Sequence, residues 1–504
     1  MESRFHNTIK NSLFGFINQV VMLSLNILNR TLFIKILGIA YLGVNGLFSD
    51  ILTMLTLTDL GLNTAMVYSY YKPLSENNEV KLAQLTSFYK RLFQLISITI
   101  IALGIILIPF LKYLVNLENG IKHIYVYYIL LLINTACSYL FIYKSSILSA
   151  TQKNYIISKT QTIFYIIKLI FQIAILFITK SYALYLIVQI ICTITTNISL
   201  SKKAEKLYPY INKKTKALGE KEKKDIYSNV KSMFLYKSAQ VIFGGTDNTL
   251  ISVLVGTIWV GIYSNYNIVI NAVNGFIDIL YRSAIASIGN VIATNSEEKR
   301  YEVFRFTQLF SCILTTITTC CLMLLLNDFI RLWVGKEFVL NKFIFLSIIF
   351  NYYFNGVIHP IWSFREACGL YMKTKYIMIL AAIINIILSV ILGIYFGITG
   401  ILIASLIARL STYFWYEPKI LFNEYFNCSQ KHFYYPLLQN TFYTVIVTFV
   451  SYTITSMFTV NNWLDFIIKT ISVGLLSTIG TLIFYYKNDT FQLFIKKYIN
   501  NYRK

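Results

Sequence analysis

The sequence predicts an all-helical protein that crosses a membrane about fourteen times. The chain is 56% hydrophobic and only 13% charged, whereas a soluble domain carries about a quarter charged residues. Its mean hydropathy is +0.60, and long apolar stretches recur from Leu13 to Tyr486. The short alternating segments of membrane-spanning strands are not found. Together these observations indicate many transmembrane helices rather than a globule with one anchor.

Fourteen apolar stretches are each long enough to cross the roughly 30 Å of hydrocarbon in a bilayer. We expect the first to be retained in the mature protein, because no small-residue cleavage motif follows a short apolar core there. The predicted spans are 13–36, 44–70, 92–111, 124–143, 157–179, 182–200, 229–255, 258–284, 306–326, 343–362, 376–396, 398–416, 434–458 and 464–486.

The distribution of positive charge predicts the orientation. Of the 45 Lys and Arg residues, 32 lie in or beside alternate segments that begin with the N-terminus, 7 lie in the other segments and 6 lie within spans. Because basic residues concentrate on the cytoplasmic side, both termini are predicted to be inside. The net charge of +23 then reflects topology, and we expect no nucleic-acid partner. The seven Cys and four His are scattered, which predicts neither a metal site nor a disulfide framework, and we expect no cofactor.

An internal repeat predicts two lobes. Shifting the chain by 218 positions aligns Gly38 with Gly256 and Gly43 with Gly261, within the shared pattern T-L-x5-G-x2-[YW]-[LV]-G. Six helices separate the copies, which therefore have the same orientation, as in a parallel duplication. The alternative is chance similarity between apolar helices. The predicted domains are six-helix lobes at 1–200 and 229–425, a basic cytoplasmic linker at 201–228, and two further helices with a basic tail at 430–504.

Basic residues inside the predicted spans are candidates for ligand binding. A charge near the centre of a span costs at least about 2.5–3.5 kcal/mol, so such residues usually face a cavity or a partner. Arg30 lies about 9 Å below the outer end of the first span, Lys168 and Arg409 lie near the middle of theirs, and Lys237 lies a third of the way along. A cationic cavity between the lobes suits phosphate or pyrophosphate. Structural ion pairs or interfacial snorkelling are the alternatives for all four, and Lys35 is best explained by snorkelling.

Two acidic residues are candidates for ion coupling or gating. The chain has no Walker A motif, so energy must come from an ion gradient or from the gradient of the substrate. Asp59 and Asp247 are predicted to carry a coupling proton or sodium ion. Asp247 is the repeat counterpart of Asn29 and adjoins the counterpart of Arg30. If the first and seventh spans meet, Arg30 and Asp247 are predicted to form an ion pair.

Three stretches resemble bacterial polysaccharide flippases of the Wzx type. They run from Leu37 to Glu76 (LGIAYLGVNG…), from Thr246 to Ala293 (TDNTLISVLVG…) and from Arg365 to Leu406 (REACGLYMKTKY…). The resemblance places the chain in the polysaccharide transport family of the multidrug/oligosaccharidyl-lipid/polysaccharide exporter superfamily. It implies a MATE-like fold of two six-helix lobes around a central cavity, with alternating access.

The same resemblance implies a function. It is the transfer of undecaprenyl-diphosphate-linked oligosaccharide from the inner to the outer leaflet of the bacterial cytoplasmic membrane, for capsule, O-antigen or teichoic-type polymers. The implied partners are this substrate, membrane lipids, H⁺ or Na⁺, and the polymerase and glycosyltransferases of the pathway. Arg30 matches the family's basic position in the outer half of the first helix, and Asp247 matches the T-D-N start of the second-lobe motif.

Other functions are considered beside the flippase. A drug or small-molecule exporter of the same fold typically has twelve helices and a less cationic cavity, so fourteen spans disfavour it. A membrane polysaccharide polymerase or glycosyltransferase needs a sizeable outer loop with catalytic residues, and the largest predicted outer loop, NDFIRLWVGKEFVLNK, is short. The protein is therefore predicted not to be an enzyme. A purely structural scaffold is disfavoured by the charges within spans.

Overall fold

The computed structural model describes residues 4–56, 66–67, 69–70, 73–74, 76–115, 121–140, 142–151, 153–213, 215, 218–294, 296–368, 370–493 and 496. Of residues 4–19, 221–237, 279, 282–287, 289–294 and 371–372, only the backbone is described. Every regular element in these ranges is helical. By Cα proximity the chain forms two compact units, Met1–Ser264 and Asn265–Lys504. The lobe boundaries inferred from the repeat stay a prediction.

The first unit contains nine helices in its described part and the start of a tenth. They are α1 (Arg4–Leu37), α2 (Ile39–Leu55), α3 (Glu79–Leu107), α4 (Leu111–Leu114), α5 (Ile124–Tyr139), α6 (Ile142–Ala150), α7 (Asn154–Thr179), α8 (Tyr182–Leu207), α9 (Glu220–Leu254) and α10 (Thr257–Thr294). Helix α1 packs along α7, α8 packs on α5 and α7, and α9 packs on α2.

The second unit takes α10 onward. Its further helices are α11 (Glu297–Trp333), α12 (Lys342–Val357), α13 (His359–Cys368), α14 (Tyr371–Ser411), α15 (Tyr413–Leu421), α16 (Lys431–Thr455) and α17 (Trp463–Tyr485). Helix α11 packs against α12, α16 and α17, and α16 packs against α17. The C-terminal pair is therefore fastened to this unit through α11.

Eight helices of the described residues are long and apolar enough to cross a membrane, and ten if each of two bent pairs is one span. The bent pairs are α5 with α6 and α12 with α13. Helix α2 is a shorter apolar helix, and its predicted span continues into residues 57–65, which lie outside the described part. The prediction of an all-helical chain with many membrane passes is confirmed.

One apparent helix, α14, is a hairpin of two helices. Its backbone leaves the helical region at Gly397, where φ is 56° and ψ is −138°. The amide of Asn385 donates to the Ser405 hydroxyl over 3.2 Å, although a straight helix separates residues twenty apart by about 30 Å. This backbone conformation is unfavourable for residues other than glycine. The fold-back therefore supplies two passes, as the spans 376–396 and 398–416 predict.

Side chains at helix starts cap orphaned backbone amides. The Asn78 side chain accepts from the Lys81 amide, that of Ser181 from Leu184 and that of Asn341 from Ile344. Before α17, Asn462 forms a capping box with Asp465. These signals are local in sequence and explain where the helices begin.

Aromatic side chains hold α1 against α8. The Phe33 ring meets the rings of Tyr182 and Tyr185 edge to face, at centroid separations of 5.6 and 5.3 Å. Tyr182 also meets Tyr127 of α5 at 4.8 Å. Such pairs add about 0.5–1.5 kcal/mol each beyond the area they bury. This packing fixes the outer half of α1, one turn beyond Arg30.

Candidate functional site

The two copies of the repeat form matching corners in the first unit. Gly38 separates α1 from α2 with a φ of +92°, and its counterpart Gly256 separates α9 from α10 with a φ of +135°. Both values lie where glycine is favoured, because a Cβ would be strained there. Each corner thus ends one helix and immediately begins the next.

The helices that follow these corners touch each other reciprocally. A Cβ on Gly43 of α2 would lie 2.2 Å from the backbone oxygen of Thr257, and a Cβ on Gly261 of α10 would lie 2.8 Å from that of Ile39. Ile39 and Thr257 are themselves counterparts under the 218-residue shift. The contact is therefore pseudo-symmetric. The absence of a side chain on the glycine of each helix lets the first turn of the other helix approach closely. We call Gly43, Gly261, Ile39 and Thr257 the glycine contact.

Polar side chains cross beside the glycine contact. The guanidinium of Arg30, on α1, donates to the Ser264 hydroxyl and, over 3.5 Å, to the Gly261 carbonyl oxygen. Asn248 on α9, the repeat counterpart of Arg30, donates to the Asp50 carboxylate on α2. The helix that ends at each corner is therefore hydrogen-bonded to the helix that begins at the other corner. These pairs are α1 with α10, and α9 with α2. Each tie includes a charged group, which strengthens its hydrogen bonds.

Lys168 lies on α7, beside polar contacts between α7 and α1. Its ammonium lies 4.3 Å from the centre of the Tyr165 ring, and the Tyr165 hydroxyl donates to the Asn26 side chain. One turn further, Asn29 donates to the Tyr185 hydroxyl over 2.8 Å. A cation over a tyrosine face is stabilised by about 0.5–2 kcal/mol. Lys168 thus lies beside polar contacts that α1 makes at Asn26 and Asn29, the second of which precedes Arg30 in the sequence.

Arg409 lies in the interior of the second unit. Its side chain is only 8% exposed and donates to the Asn351 carbonyl oxygen over 3.0 Å. Nearby helices α13 and α15 carry a buried ion pair, in which Arg365 donates to Glu417 over 2.6 Å. Sequence reasoning missed this pair, because Arg365 and Glu417 lie just beyond predicted span ends, where charged residues are common and do not indicate a site.

The remaining predicted site residues are described in part or not at all. Asp59 lies outside the described residues. Lys237 lies on α9, but its side chain is outside the described part. Asp247 is half-buried on α9, next to the residue that binds Asp50. An ion pair between Arg30 and Asp247 stays a prediction. Lys35, expected to be an interfacial anchor, is exposed.

Breaking the buried pair is expected to destabilise the protein. Glu417→Gln leaves the Arg365 charge buried, which should lower the free energy of unfolding by about 3–5 kcal/mol. The matched control is Glu424→Gln, since Lys373 and Glu424 also pair at 2.6 Å but are 55% and 36% exposed; its cost should stay below about 1 kcal/mol. Denaturant titration in detergent measures both. Equal costs for the two variants would contradict the burial argument.

Comparison with known proteins identifies the fold. No family model and no curated protein matches the chain. Among solved structures, it is similar to the lipid II flippase MurJ in an inward closed conformation, with 20% identity, a TM-score of 0.67, and coverage of 95% of this chain and 99% of that one. It is also similar to the MATE multidrug transporter DinF-BH, with 14% identity, a TM-score of 0.61, and coverage of 85% and 98%.

A third solved structure has the same fold. It is an inward-facing multidrug resistance transporter of the MATE family in the MOP superfamily, with 12% identity, a TM-score of 0.55, and coverage of 79% and 97%. The chain is therefore a multi-pass membrane protein with the MATE-like fold that the sequence predicts. All three proteins are named as a flippase or as transporters, not as enzymes.

Proposed function

We propose that the protein is a flippase for a lipid-linked oligosaccharide carried on undecaprenyl diphosphate. The observation that carries the proposal is the extent of the likeness to MurJ, which takes in 95% of the chain, against 85% for DinF-BH. The difference is about as long as α16 and α17 together. A helix pair beyond the twelve of a multidrug transporter is expected of a protein that must accommodate a long prenyl tail.

The charges of the first unit support a diphosphate as the recognised group. Arg30 binds a hydroxyl and a carbonyl oxygen, and Lys168 lies over a tyrosine ring. Guanidinium and ammonium groups bind phosphate oxygens more strongly than they bind a hydroxyl or a neutral carbonyl. A diphosphate therefore competes with Ser264 and Gly261 for Arg30. We assign the same role to Lys237 and Arg409, as further cationic contacts for the diphosphate.

Alternating access supplies the mechanism. The glycine contact joins the two repeats at corners predicted to lie outside, so it must open for the substrate to leave on that side. When the diphosphate binds Arg30 in place of Ser264 and Gly261, the hydrogen bonds between α1 and α10 are lost. Substrate binding would then favour the open form by the difference in affinity between the two states.

Reconstitution tests the proposed function. Purified protein in liposomes is supplied with undecaprenyl-diphosphate oligosaccharide that carries a fluorescent sugar, and a membrane-impermeant quencher reports transfer between leaflets. We expect transfer of this lipid but not of the corresponding uncharged polyprenyl glycoside. In the host, a deletion strain should accumulate the diphosphate-linked oligosaccharide in the inner leaflet of the cytoplasmic membrane. Equal transfer of both lipids would exclude diphosphate recognition.

A drug exporter of the same fold is the second candidate, favoured by the likeness to DinF-BH. It would move cationic dyes across the same liposomes and leave the lipid in place. A polymerase or glycosyltransferase would instead change the mass of the lipid-linked sugar. Genes for glycosyltransferases and a polymerase beside this one would support the flippase.

Ion coupling is tested by removing the gradients. If Asp59 or Asp247 carries a proton or sodium ion, collapse of the matching gradient should slow transfer by about tenfold, equivalent to about 1.4 kcal/mol. Asp247→Asn and Asp59→Asn should then remove the response to the gradient. Transfer that is insensitive to both gradients would leave the substrate's own gradient as the driving force.

A further inference from the structure

A basic cavity lies at one end of the C-terminal helix pair. It has a volume of about 610 Å³ and is walled by α11, by the start of α16, and by the end of α17 with the residues that follow. These walls come from three segments that the charge distribution places on the cytoplasmic side, around 285–305, 417–433 and 487–504. The cavity is therefore predicted to lie at the height of the inner headgroup layer.

The lining of this cavity is cationic. It includes Arg305, Lys431 and His432, together with the amides of Gln308 and Gln439, and it contains no Asp or Glu. In the described part of the chain, the side chains of Arg305 and Lys431 have neither an ion pair nor a hydrogen bond. Topology alone explains why bases lie on this side, but not why two unpaired bases line the same cavity.

Two acidic residues directly adjoin lining residues in the sequence, Glu302 after Tyr301 and Asp489 between Asn488 and Thr490, but neither lines the cavity. Glu302, on the same helix, is bound by Lys299. The cavity also faces the first residues of α16, where the helix dipole adds partial positive charge. An anionic group is thus the occupant that the electrostatics favour.

An apolar stripe begins at the cavity and runs along α16. Its side chains recur at intervals of three and four residues, which places them on one face of the helix. All are more than half exposed: Tyr435, Leu438, Phe442, Val445, Phe449 and Tyr452. Tyr435 belongs to both the cavity and the stripe. The cavity therefore adjoins an apolar surface. A ligand with an anionic headgroup in the cavity could place a hydrocarbon chain along that surface.

We propose that this cavity binds the phosphate headgroup of an anionic phospholipid of the inner leaflet, whose acyl chain lies along the apolar stripe of α16. Basic pockets between transmembrane helices on the cytoplasmic side recognise phospholipid headgroups in this way. Arg305 and Lys431 bind the phosphate oxygens, and Tyr435 packs at the junction of head and chain. The lipid fastens the C-terminal helices to α11. This inference does not depend on the proposed transport function.

Lipid retention on the full-length protein tests the site. Protein in nanodiscs that contain phosphatidylglycerol and phosphatidylcholine is extracted gently, and native mass spectrometry counts the bound lipids. We expect wild type to retain phosphatidylglycerol selectively. Arg305→Gln with Lys431→Gln should lower that retention by about tenfold or more, since it removes both bases that bind the phosphate. Arg305→Lys should keep most of it.

Matched controls separate this site from general surface charge. Lys375→Gln with Lys419→Gln removes two bases that are also predicted to be cytoplasmic but do not line the cavity, and it should retain the lipid like wild type. Glycerol phosphate, which has no acyl chain, should not displace phosphatidylglycerol. Normal retention by the cavity variant, an equal loss in the control, or displacement by glycerol phosphate would each overturn the proposal.

Discussion

Arg30→Ala is expected to abolish transfer of the lipid-linked oligosaccharide, whereas Arg30→Lys should retain part of it. The alanine removes a half-buried charge that binds Ser264 and Gly261 in the described conformation and is proposed to bind the diphosphate during transfer. A hydrogen bond to a charged group contributes about 1.5–3 kcal/mol, so losing one lowers the rate by at least about tenfold. Lysine keeps the charge but not the forked geometry. The liposome assay measures all three proteins.

Two control variants separate charge recognition from helix fastening. Ser264→Ala removes an acceptor of Arg30 but leaves the guanidinium, and it should transfer at close to the wild-type rate. Lys35→Ala removes an exposed base from the same helix and should have no effect. If Ser264→Ala loses as much activity as Arg30→Ala, then Arg30 acts as a tie between α1 and α10 and not as a ligand for the diphosphate.

Gly43→Ala is expected to slow transfer by about tenfold. The new Cβ would lie 2.2 Å from the Thr257 oxygen, so α2 and α10 must separate. Overpacking of this kind costs about 1–3 kcal/mol in the closed form, which shifts the population by about tenfold. Alanine also favours a helix more than glycine does, so a loss cannot come from helix propensity.

The same helix offers the control for this variant. Gly46→Ala places its Cβ 3.5 Å from a methyl group of Val260, an ordinary contact, and should transfer normally. Gly261→Ala should behave like Gly43→Ala, because the contact is reciprocal. Membrane level and helicity are measured for each variant. Equal rates for Gly43→Ala and Gly46→Ala would show that the glycine contact need not close during transport.

Much of the fold follows from patterns that act locally or along one helix. Apolar length and charge asymmetry predicted a helical chain with many membrane passes, since lipid requires every backbone group to be satisfied within the segment. The repeat aligned Gly38 with Gly256, and both form corners in the structure, where glycine tolerates the backbone conformation of a sharp turn between two apolar helices. The caps at Asn78, Ser181 and Asn462 are equally local.

The partners of individual side chains required the three-dimensional structure. Arg30 is recognisable as a costly charge, but its contact with Ser264 joins residues 234 apart. The glycine contact joins Gly43 to Thr257. In the sequence, a glycine that is packed against a backbone oxygen cannot be told apart from any other helical glycine. The basic cavity likewise brings Arg305 and Lys431 together from helices whose order along the chain does not reveal their proximity.

The amino-acid pattern thus predicted that the chain crosses the membrane many times, and it identified the apolar spans and the charges within them. Those properties depend on the transfer free energy of each segment, which is a sum over its own residues. Only the packed helices show that the repeats touch through Gly43 and Gly261, that Arg409 is enclosed in the second unit, and that Arg305 and Lys431 share a cavity. Contacts of that kind depend on distances between segments, and helix periodicity carries no information about them.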